Sequence, residues 1–317
     1  MKSSIVLISN PTAKRASDRK IAQASRYLMS KGYKVEVLFT EKKGNAESLA
    51  REAIKELPFL IIAAGGDGTF NEVINGIAGS EIPMAILPLG TTNVLAKEIG
   101  IPEDVKGAME IAVTGTTKTI SLGKIARSYH DNENNPPIPP LEKGGEGGFR
   151  YFVLMAGIGF DGKAVFEINE SFKKFSGKGA YIHSGIKTLL RFNPDELNFD
   201  IDGKTYSGYS AIISKTAKYG GDFKITPDAR LTDPTLYICL FKGKKRLDVL
   251  RYVFGIATGS HLRFKDVEYL KAKRIKIDGN AHIQIDGDYF GMTPAKIEVA
   301  TNTLRLIYPL RKTTDTF

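Results

Sequence analysis

Short apolar runs alternate with helix-type stretches through the first ~125 residues, and no other feature constrains the fold of this chain as strongly. Ser4–Ser9, Lys34–Phe39, Phe59–Ala63 and Met84–Leu87 read as strands, with helices at Ser17–Lys31, Asn45–Leu57 and Thr69–Ala78 between them. The first helix carries Ile21, Ala24, Leu28 and Met29 at the spacing of one helical face. Strands that alternate with helices pair in parallel, because a parallel pair needs a crossover rather than a hairpin. Residues 1–125 are therefore expected to form a Rossmann-like α/β domain with a mostly parallel sheet. Ligands of such sheets bind at the carboxyl ends of the strands.

From Phe149 onward the pattern changes to short alternating strands bounded by Gly, Pro or Asp: Tyr151–Ala156, Leu197–Ile201, Tyr206–Ser214, Leu236–Phe241, Ile275–Ile277, His282–Ile285, Lys296–Val299 and Leu304–Tyr308. Strands of this kind build an antiparallel sandwich or barrel. The expectation is a β-rich C-terminal sandwich domain over 126–300, interrupted by helices at Asp161–Ser171, Ala180–Arg191 and Arg246–Thr258. Residues 301–317 read as a strand and tail that return to the first domain. Between the two patterns, Asp131–Gly148 (DNENNPPIPPLEKGGEGG) holds only two large apolar residues. Such a segment cannot bury enough surface to offset its ordering entropy, and it reads as a disordered surface insertion. Pro136-Pro137-Ile138-Pro139-Pro140 favours polyproline II, so a docking peptide is the other reading.

Composition narrows the partners. Lys and Arg number 45 against 35 Asp and Glu, a net charge of +10 over 317 residues. That surplus suits nucleic acid, a nucleotide, polyphosphate or an anionic membrane. No basic stripe with interleaved aromatics is visible, so nucleic acid is not the expected partner. Cys239 is the only cysteine, which excludes an internal disulfide framework and a cysteine-rich zinc site and fits a reducing compartment. The longest apolar runs, such as Pro58–Ala64, fall far short of the roughly 20 residues that span a bilayer. Met1–Ser4 leads into too short an apolar segment for a secretory signal, and a cytoplasmic protein is expected.

Ala64-Gly65-Gly66-Asp67-Gly68-Thr69 follows the third strand and opens a helix. Glycines let the backbone approach a phosphate closely, and N–H groups at a helix start attract an anion. Asp67 stands where it could hold Mg²⁺ against those phosphates; as plain structure, Asp67 and Thr69 would be helix caps. Pro88-Leu89-Gly90-Thr91-Thr92-Asn93 follows the fourth strand, and Ser9-Asn10-Pro11-Thr12 closes the first. Three strand ends carrying small polar residues make one nucleotide-sized crevice.

Along these residues the chain resembles the diacylglycerol kinase catalytic family, which includes sphingosine kinases and bacterial soluble lipid kinases. The segments that carry the resemblance are Asn10-Pro11-Thr12, Gly65–Thr69 with Asn71-Glu72, Pro88–Asn93, Ala156–Asp161, Thr226-Pro227-Asp228-Ala229 and Ile285–Asp288. NAD kinases share the Gly-Gly-Asp-Gly turn, whereas the Pro-Leu-Gly-Thr-Thr-Asn segment is similar to the lipid kinases. The resemblance implies an ATP-binding N-terminal domain, a β-rich C-terminal domain and a lipid substrate in the cleft between them. It implies an ATP- and Mg²⁺-dependent kinase that passes the γ-phosphate to a lipid hydroxyl, with diacylglycerol, giving phosphatidic acid, as the default acceptor.

The family's nucleotide-contacting set falls on Asn10, Pro11, Thr12, Ala13, Lys14, Thr40, Gly65, Gly66, Asp67, Gly68, Thr69, Phe70, Asn71, Glu72, Thr91 and Asn93. Its catalytic residues fall on Asp286 and Asp288, with Asp67 at the phosphates. Residues two apart on a strand project from one face, so two carboxylates would converge on one hydroxyl, one accepting its proton and the other orienting it or its metal. Read alone, Asp286-Gly287-Asp288 is a hairpin turn, as Asp278-Gly279 is.

The chain also departs from the family. Asp288 stands where the family usually has Glu, a carboxylate one methylene shorter, roughly 1.5 Å of reach. Asp233, Arg230 and Thr235 fall where the family implies a structural Mg²⁺ held by the Asp side chain and nearby carbonyls, oxygen ligands that suit a hard cation. Pro234 replaces glycine there and restricts the turn. Lys14 replaces a common Gly and either adds a phosphate contact or points to solvent. Two other readings follow: an NAD kinase-like phosphotransferase, and a lipid- or nucleotide-binding protein weakened in catalysis. Lys242–Arg246, followed by Leu247, Leu250, Val253 and Phe254, makes a helix with a cationic start. It is either a membrane-surface helix or an ordinary helix packed on the sheet. The expected partner is a lipid at a membrane surface, met by transient peripheral contact; self-association into a homo-oligomer stays open.

Overall fold

A computed structural model describes residues 3–10, 14–127, 148–171 and 193–310. The chain divides into one unit of Met1–Ser121 with Thr301–Phe317 and another of Leu122–Ala300.

In the first unit the apolar runs become β1 (Ser4–Ser9), β2 (Lys34–Phe39), β3 (Leu60–Gly65) and β4 (Met84–Pro88). Between them lie α1 (Lys14–Ser30), α2 (Asn45–Ala53) and α3 (Asp67–Ile77), and α4 (Val94–Ile99) and α5 (Val105–Thr114) follow β4. The strands pair in parallel in the order β2-β1-β3-β4. Two helix pairs, α1 with α5 and α2 with α3, lie against them. A parallel sheet covered by helices needs continuously apolar strands, which is why Ile5–Ile8 and Leu60–Ala64 carry no polar interruption. β2 is the edge, and its exposed Lys34 and Glu36 blunt it. From β1 the chain crosses to β2 on one side and returns to β3 on the other, so Ser9 at the end of β1 lies beside Ala64. Such a reversal opens a crevice at the carboxyl ends of the two strands.

β5 (Thr116–Arg127) leads into the second unit. There follow β6 (Phe149–Phe152), β7 (Met155–Ile158), α6 (Phe160–Ser171), β8 (Leu197–Ile201), β9 (Lys204–Gly208) and β10 (Ser210–Ser214). Next come β11 (Lys218–Tyr219), β12 (Phe223–Lys224), β13 (Leu236–Phe241) and α7 (Arg246–Thr258). β14 (Val267–Ala272), β15 (Arg274–Asp278), β16 (His282–Ile285), β17 (Asp288–Met292) and β18 (Ala295–Tyr308) complete the set. One sheet runs β14-β13-β10-β7-β16-β17, antiparallel throughout. The other contains antiparallel β18-β15-β8-β9, and β5 pairs with β6. Alternate residues meet in one core: Leu236, Ile238 and Leu240 of β13 with Ile283 and Ile285 of β16 from one sheet, and Phe199 of β8 with Ile275 and Ile277 of β15 from the other. Two inner faces with a shared core are a sandwich. The fold class expected from the sequence, a parallel α/β part followed by an antiparallel sandwich, is the one found.

Two expected strands divide. Tyr151–Ala156 becomes parts of β6 and β7, and Tyr206–Ser214 breaks after Gly208, so that β9 and β10 belong to different sheets. No Pro or Asp-Gly turn marks either break, so each segment reads as one strand, although β7 and β10 are buried throughout and β6 and β9 are not. The helix expected at Ala180–Arg191 lies outside the described residues, as does the expected insertion up to residue 147. β18 outlasts the second unit: Thr301–Tyr308 belong to the first. There Leu306 pairs in parallel with Met84 of β4, the Thr303 carbonyl accepts the Gly79 N–H at 2.8 Å, and Arg305 is ion-paired with Glu81.

Candidate functional site

The β3–α3 and β4–α4 turns meet at the carboxyl edge of the parallel sheet. β3 ends at Gly65, paired with Pro88 of β4. The Gly65 carbonyl accepts the N–H of Leu89 at 2.8 Å and of Gly90 at 3.2 Å, so the second turn folds back against the first. A Cβ on Gly90 would lie 2.6 Å from the Cα of Gly66 and 2.8 Å from Oδ1 of Asn93, and only glycine fits. Asn93 locks this turn by donating Nδ2 to the Gly90 carbonyl at 2.9 Å. The Asn10 N–H donates to the Ala64 carbonyl at 3.2 Å and the Thr40 N–H to the Ser9 carbonyl at 2.9 Å, which brings Asn10 and Thr40 to the same strand ends. Gly66–Gly68 are half-buried and Gly90–Thr92 exposed. The first N–H groups of α3 have no partner within the helix, and with two bare backbone turns beside them they form a cradle suited to phosphate.

The remaining side chains of the expected nucleotide set divide by role. Asp67 accepts the N–H groups of Val94 and Leu95, each at 3.0 Å and each on a different oxygen, and so caps α4. Glu72 accepts the N–H groups of Gly44 at 2.8 Å and Ala46 at 3.1 Å, holding the start of α2. Carboxylates of α3 thus satisfy the orphan donors of two neighbouring helices. Asn71 is buried, and its Oδ1 accepts Nδ2 of Asn75 at 3.1 Å. Phe70 is a correction: its ring is 0% exposed in the core, and its N–H is already bonded to the Gly66 carbonyl at 3.1 Å. Pro11, Thr12, Ala13 and the side chain of Lys14 lie outside the described residues.

Asp286 and Asp288 do not share a strand face, which corrects the expected convergence of two carboxylates. Asp286 at φ +48 and Gly287 at φ +90 form the two-residue turn between β16 and β17. Asp-Gly favours this left-handed hairpin geometry. The Asp286 carboxylate is buried and accepts three backbone N–H groups, from Val153 at 2.8 Å and from Leu154 and Met155 at 2.9 Å. It therefore pins the β6–β7 connection to the turn. Asp288, half-buried, opens β17 opposite Ile285.

A buried network supports that turn. Gln284 accepts the Gly287 N–H at 2.8 Å and donates Nε2 to Asp161 at 2.6 Å, while the Tyr219 hydroxyl donates to the other Asp161 oxygen. Burial pushes the Asp161 carboxyl above its ordinary range against these two hydrogen bonds, and burial beside that carboxylate pushes the Tyr219 phenol well up. A Cβ on Gly157 would lie 1.8 Å from Asp161, so this glycine makes room for the carboxylate. The sequence marks Ala156–Asp161 as a segment but gives Asp161 no task.

The expected structural metal does not fit its ligands. The Asp233 carboxylate accepts the Tyr237 hydroxyl at 2.9 Å, and the Arg230 carbonyl accepts the Asp233 N–H at 3.1 Å. The carbonyls of Asp233 and Thr235 both accept Nζ of Lys215, the latter at 2.9 Å. Lys215 is 0% exposed. Burial pulls its ammonium down to about 8, with the Asp233 charge acting the other way. Among the described residues no three His, Cys, Asp or Glu side chains gather as a metal cluster.

α7 has two apolar faces. Val249, Tyr252 and Gly255 are buried, whereas Leu247 is 75% and Phe254 69% exposed, with Leu250 and Val253 also exposed. Tyr252 anchors the inner face by accepting the Gly243 N–H at 2.8 Å and donating to Asp266 at 2.5 Å. Phe223 of β12, an element in contact with α7, is exposed too, and Lys244, Lys245 and Arg246 stand exposed at the start of the helix. Among the described residues no helix is long and apolar enough to cross a membrane.

A family profile described as the diacylglycerol kinase catalytic domain matches residues 4–125. One described as the YegS C-terminal NAD kinase beta sandwich-like domain matches residues 155–308. The chain is 31% identical over 297 residues to a diacylglycerol kinase of Staphylococcus aureus, covering 91% of this chain and 87% of that protein. It is 29% identical over 314 residues to a diacylglycerol kinase of Bacillus subtilis, covering 96% of each. A crystal structure of a diacylglycerol kinase from Bacillus anthracis shares the fold, with a TM-score of 0.70 at 23% identity over 96% of this chain and 97% of that one.

Proposed function

The chain belongs to the diacylglycerol kinase catalytic-domain family, a family of kinases, and on that premise we propose that it transfers the γ-phosphate of ATP to a lipid hydroxyl, with diacylglycerol as the acceptor and phosphatidic acid as the product. The observation that carries the reading is the contact of the Gly66 and Gly90 turns at the carboxyl ends of β3 and β4, beside the β1–β3 reversal of a parallel sheet. In this reading the backbone N–H groups of Gly66–Thr69 and the turn around Thr91 hold the nucleotide phosphates, with Asn10 and Thr40 beside them. The Asp67 carboxylate, with one N–H on each oxygen, keeps acceptor capacity for the Mg²⁺ that accompanies ATP. That ion, when bound, offsets the charge of the phosphates.

Asp288 accepts the proton of the acceptor hydroxyl, which lets its oxygen attack phosphorus as the bond from phosphorus to the ADP oxygen breaks. Asp286 acts as a positioning residue, because all three of its N–H partners bind it to the β6–β7 connection. Asp161 and Gln284 hold the other side of the turn. The exposed apolar face of α7, with cations at its start, serves contact with an anionic membrane surface.

The test is phosphoryl transfer from labelled ATP to a panel of diacylglycerol, monoacylglycerol, sphingoid bases and polyprenols presented in vesicles. Labelled phosphatidic acid is the expected product. Phosphorylation of NAD with no lipid labelled would replace this reading with the NAD kinase-like one. ATP binding without turnover, unchanged in Asp288→Glu, would mark a weakened binding protein.

A further inference from the structure

A buried lysine at the end of a sheet strand needs a reason, because an ammonium removed from water is costly unless acceptors surround it. Lys215 follows β10, is fully buried, and reaches the loop between Arg230 and Thr235 with its Nζ. The carbonyls on both sides of Pro234 accept from it. Pro234 fixes the backbone between those two carbonyls and offers no N–H of its own. The Asp233 carboxylate adds negative charge nearby while held by the Tyr237 hydroxyl. Of the three ligands that the family resemblance assigns to a divalent ion, the Thr235 carbonyl accepts Nζ, the Arg230 carbonyl accepts the Asp233 N–H and the Asp233 carboxylate accepts the Tyr237 hydroxyl.

We propose that the Lys215 ammonium is the resident cation of the 230–235 loop, so that in this chain a covalently attached positive charge takes the place of a structural divalent metal. The two seats exclude one another. Mg²⁺ demands close to six oxygens in octahedral array at about 2.0–2.1 Å, whereas an ammonium accepts looser geometry at hydrogen-bond distance. The Thr235 carbonyl committed to Nζ is lost to a metal, and a second positive charge beside a buried ammonium is repelled. The loop is therefore ordered by the chain itself, and any divalent requirement belongs to the nucleotide. The inference does not depend on which acceptor the kinase uses.

The test reads melting and metal content in the absence of nucleotide. The wild-type protein is expected to melt at the same temperature with excess EDTA as with millimolar Mg²⁺, and to retain no Mn²⁺ after gel filtration. Lys215→Asn, which leaves the carbonyls and the Asp233 carboxylate without their cation, is expected to melt several degrees lower and to regain part of that loss with millimolar Mg²⁺. Lys215→Met, which fills the space without charge, is expected to lose stability without rescue by Mg²⁺. A wild-type protein that retains one Mn²⁺ per chain and loses melting temperature on chelation would overturn the proposal. So would a Lys215→Asn protein that melts like wild type under both conditions. Should Lys215→Asn not fold, the chelation and Mn²⁺ measurements on the wild type decide alone.

Discussion

Gly66 and Gly90 meet backbone to backbone: a Cβ on Gly90 would stand only 2.6 Å from the Cα of Gly66. The two phosphate-cradle turns are therefore a single packed object. Gly90→Ala forces the Gly66 backbone and Asn93 to move, an overpacking cost of about 1–3 kcal/mol. The displaced turn weakens ATP binding by about tenfold, or ~1.4 kcal/mol. Isothermal titration with ATP and a parallel melt check both; unchanged ATP affinity would separate the turn from the nucleotide site.

The two acidic residues of the β16–β17 hairpin are expected to fail differently. Asp286→Asn turns one acceptor oxygen into a donor facing backbone N–H groups, and a loss of about 2–4 kcal/mol in stability follows. Asp288→Asn leaves stability within about 0.5 kcal/mol and lowers kcat by about 10²–10⁴-fold. Asp288→Glu, which restores the family's usual residue, retains activity. Calorimetry beside initial rates distinguishes the cases, and a fully active Asp288→Asn would move the proton acceptor elsewhere.

Glu72 links α3 to the start of α2. Glu72→Ala orphans the Gly44 and Ala46 donors and is expected to cost about 1–2 kcal/mol, like the loss of a helix cap. Urea unfolding should show a lower midpoint at unchanged slope.

On α7, Leu247→Glu with Phe254→Glu alters only exposed positions. Co-sedimentation with phosphatidylglycerol vesicles should fall at least about tenfold, with little binding to phosphatidylcholine by either protein. The melting temperature should not change. Vesicle binding equal to wild type, or loss of a dimer on gel filtration instead, would reassign this face.

Cys239 reports on the sandwich interior. Burial pushes its thiol from 9.0 up to about 12. The folded state then holds a proton that the unfolded state has released, so the stability from this group is whole below about pH 9 and lost as pH climbs toward 12. A thiol reagent at pH 8 should label the native protein only at the rate of its opening and the guanidinium-unfolded protein at once.

Much of the fold is legible in the sequence because its signals are local. Ile5–Ile8 and Leu60–Ala64 are apolar without interruption, as a covered parallel strand requires, and Leu197–Ile201 alternates as a sandwich strand does. The break after Gly208 is invisible, since no Pro or Asp-Gly turn marks it, although β9 is largely exposed and β10 is buried throughout. At the site, Gly65–Thr69 and Pro88–Asn93 announce their turns, but the partners of their side chains do not follow from spacing. The N–H groups held by Asp67 and Glu72 lie more than twenty residues away in the chain, and those held by Asp286 more than a hundred. Lys215 is hidden for the same reason. A lysine after a strand reads as solvated, and only the path of the 230–235 loop turns it into a buried cation.

The first unit is written in two pieces, Met1–Ser121 and Thr301–Phe317, and its sheet takes Leu306 beside Met84. On the ribosome the strands β1–β4 emerge first yet wait for Thr301–Tyr308. At about 5–20 residues per second, that delay is roughly ten to forty seconds. During it the edge of β4 has no strand to cover it, while the sandwich encoded in between can assemble. A nascent chain stalled before Thr301 would thus carry a finished sandwich and an unfinished nucleotide fold, which makes phosphate binding a late event in the birth of the molecule.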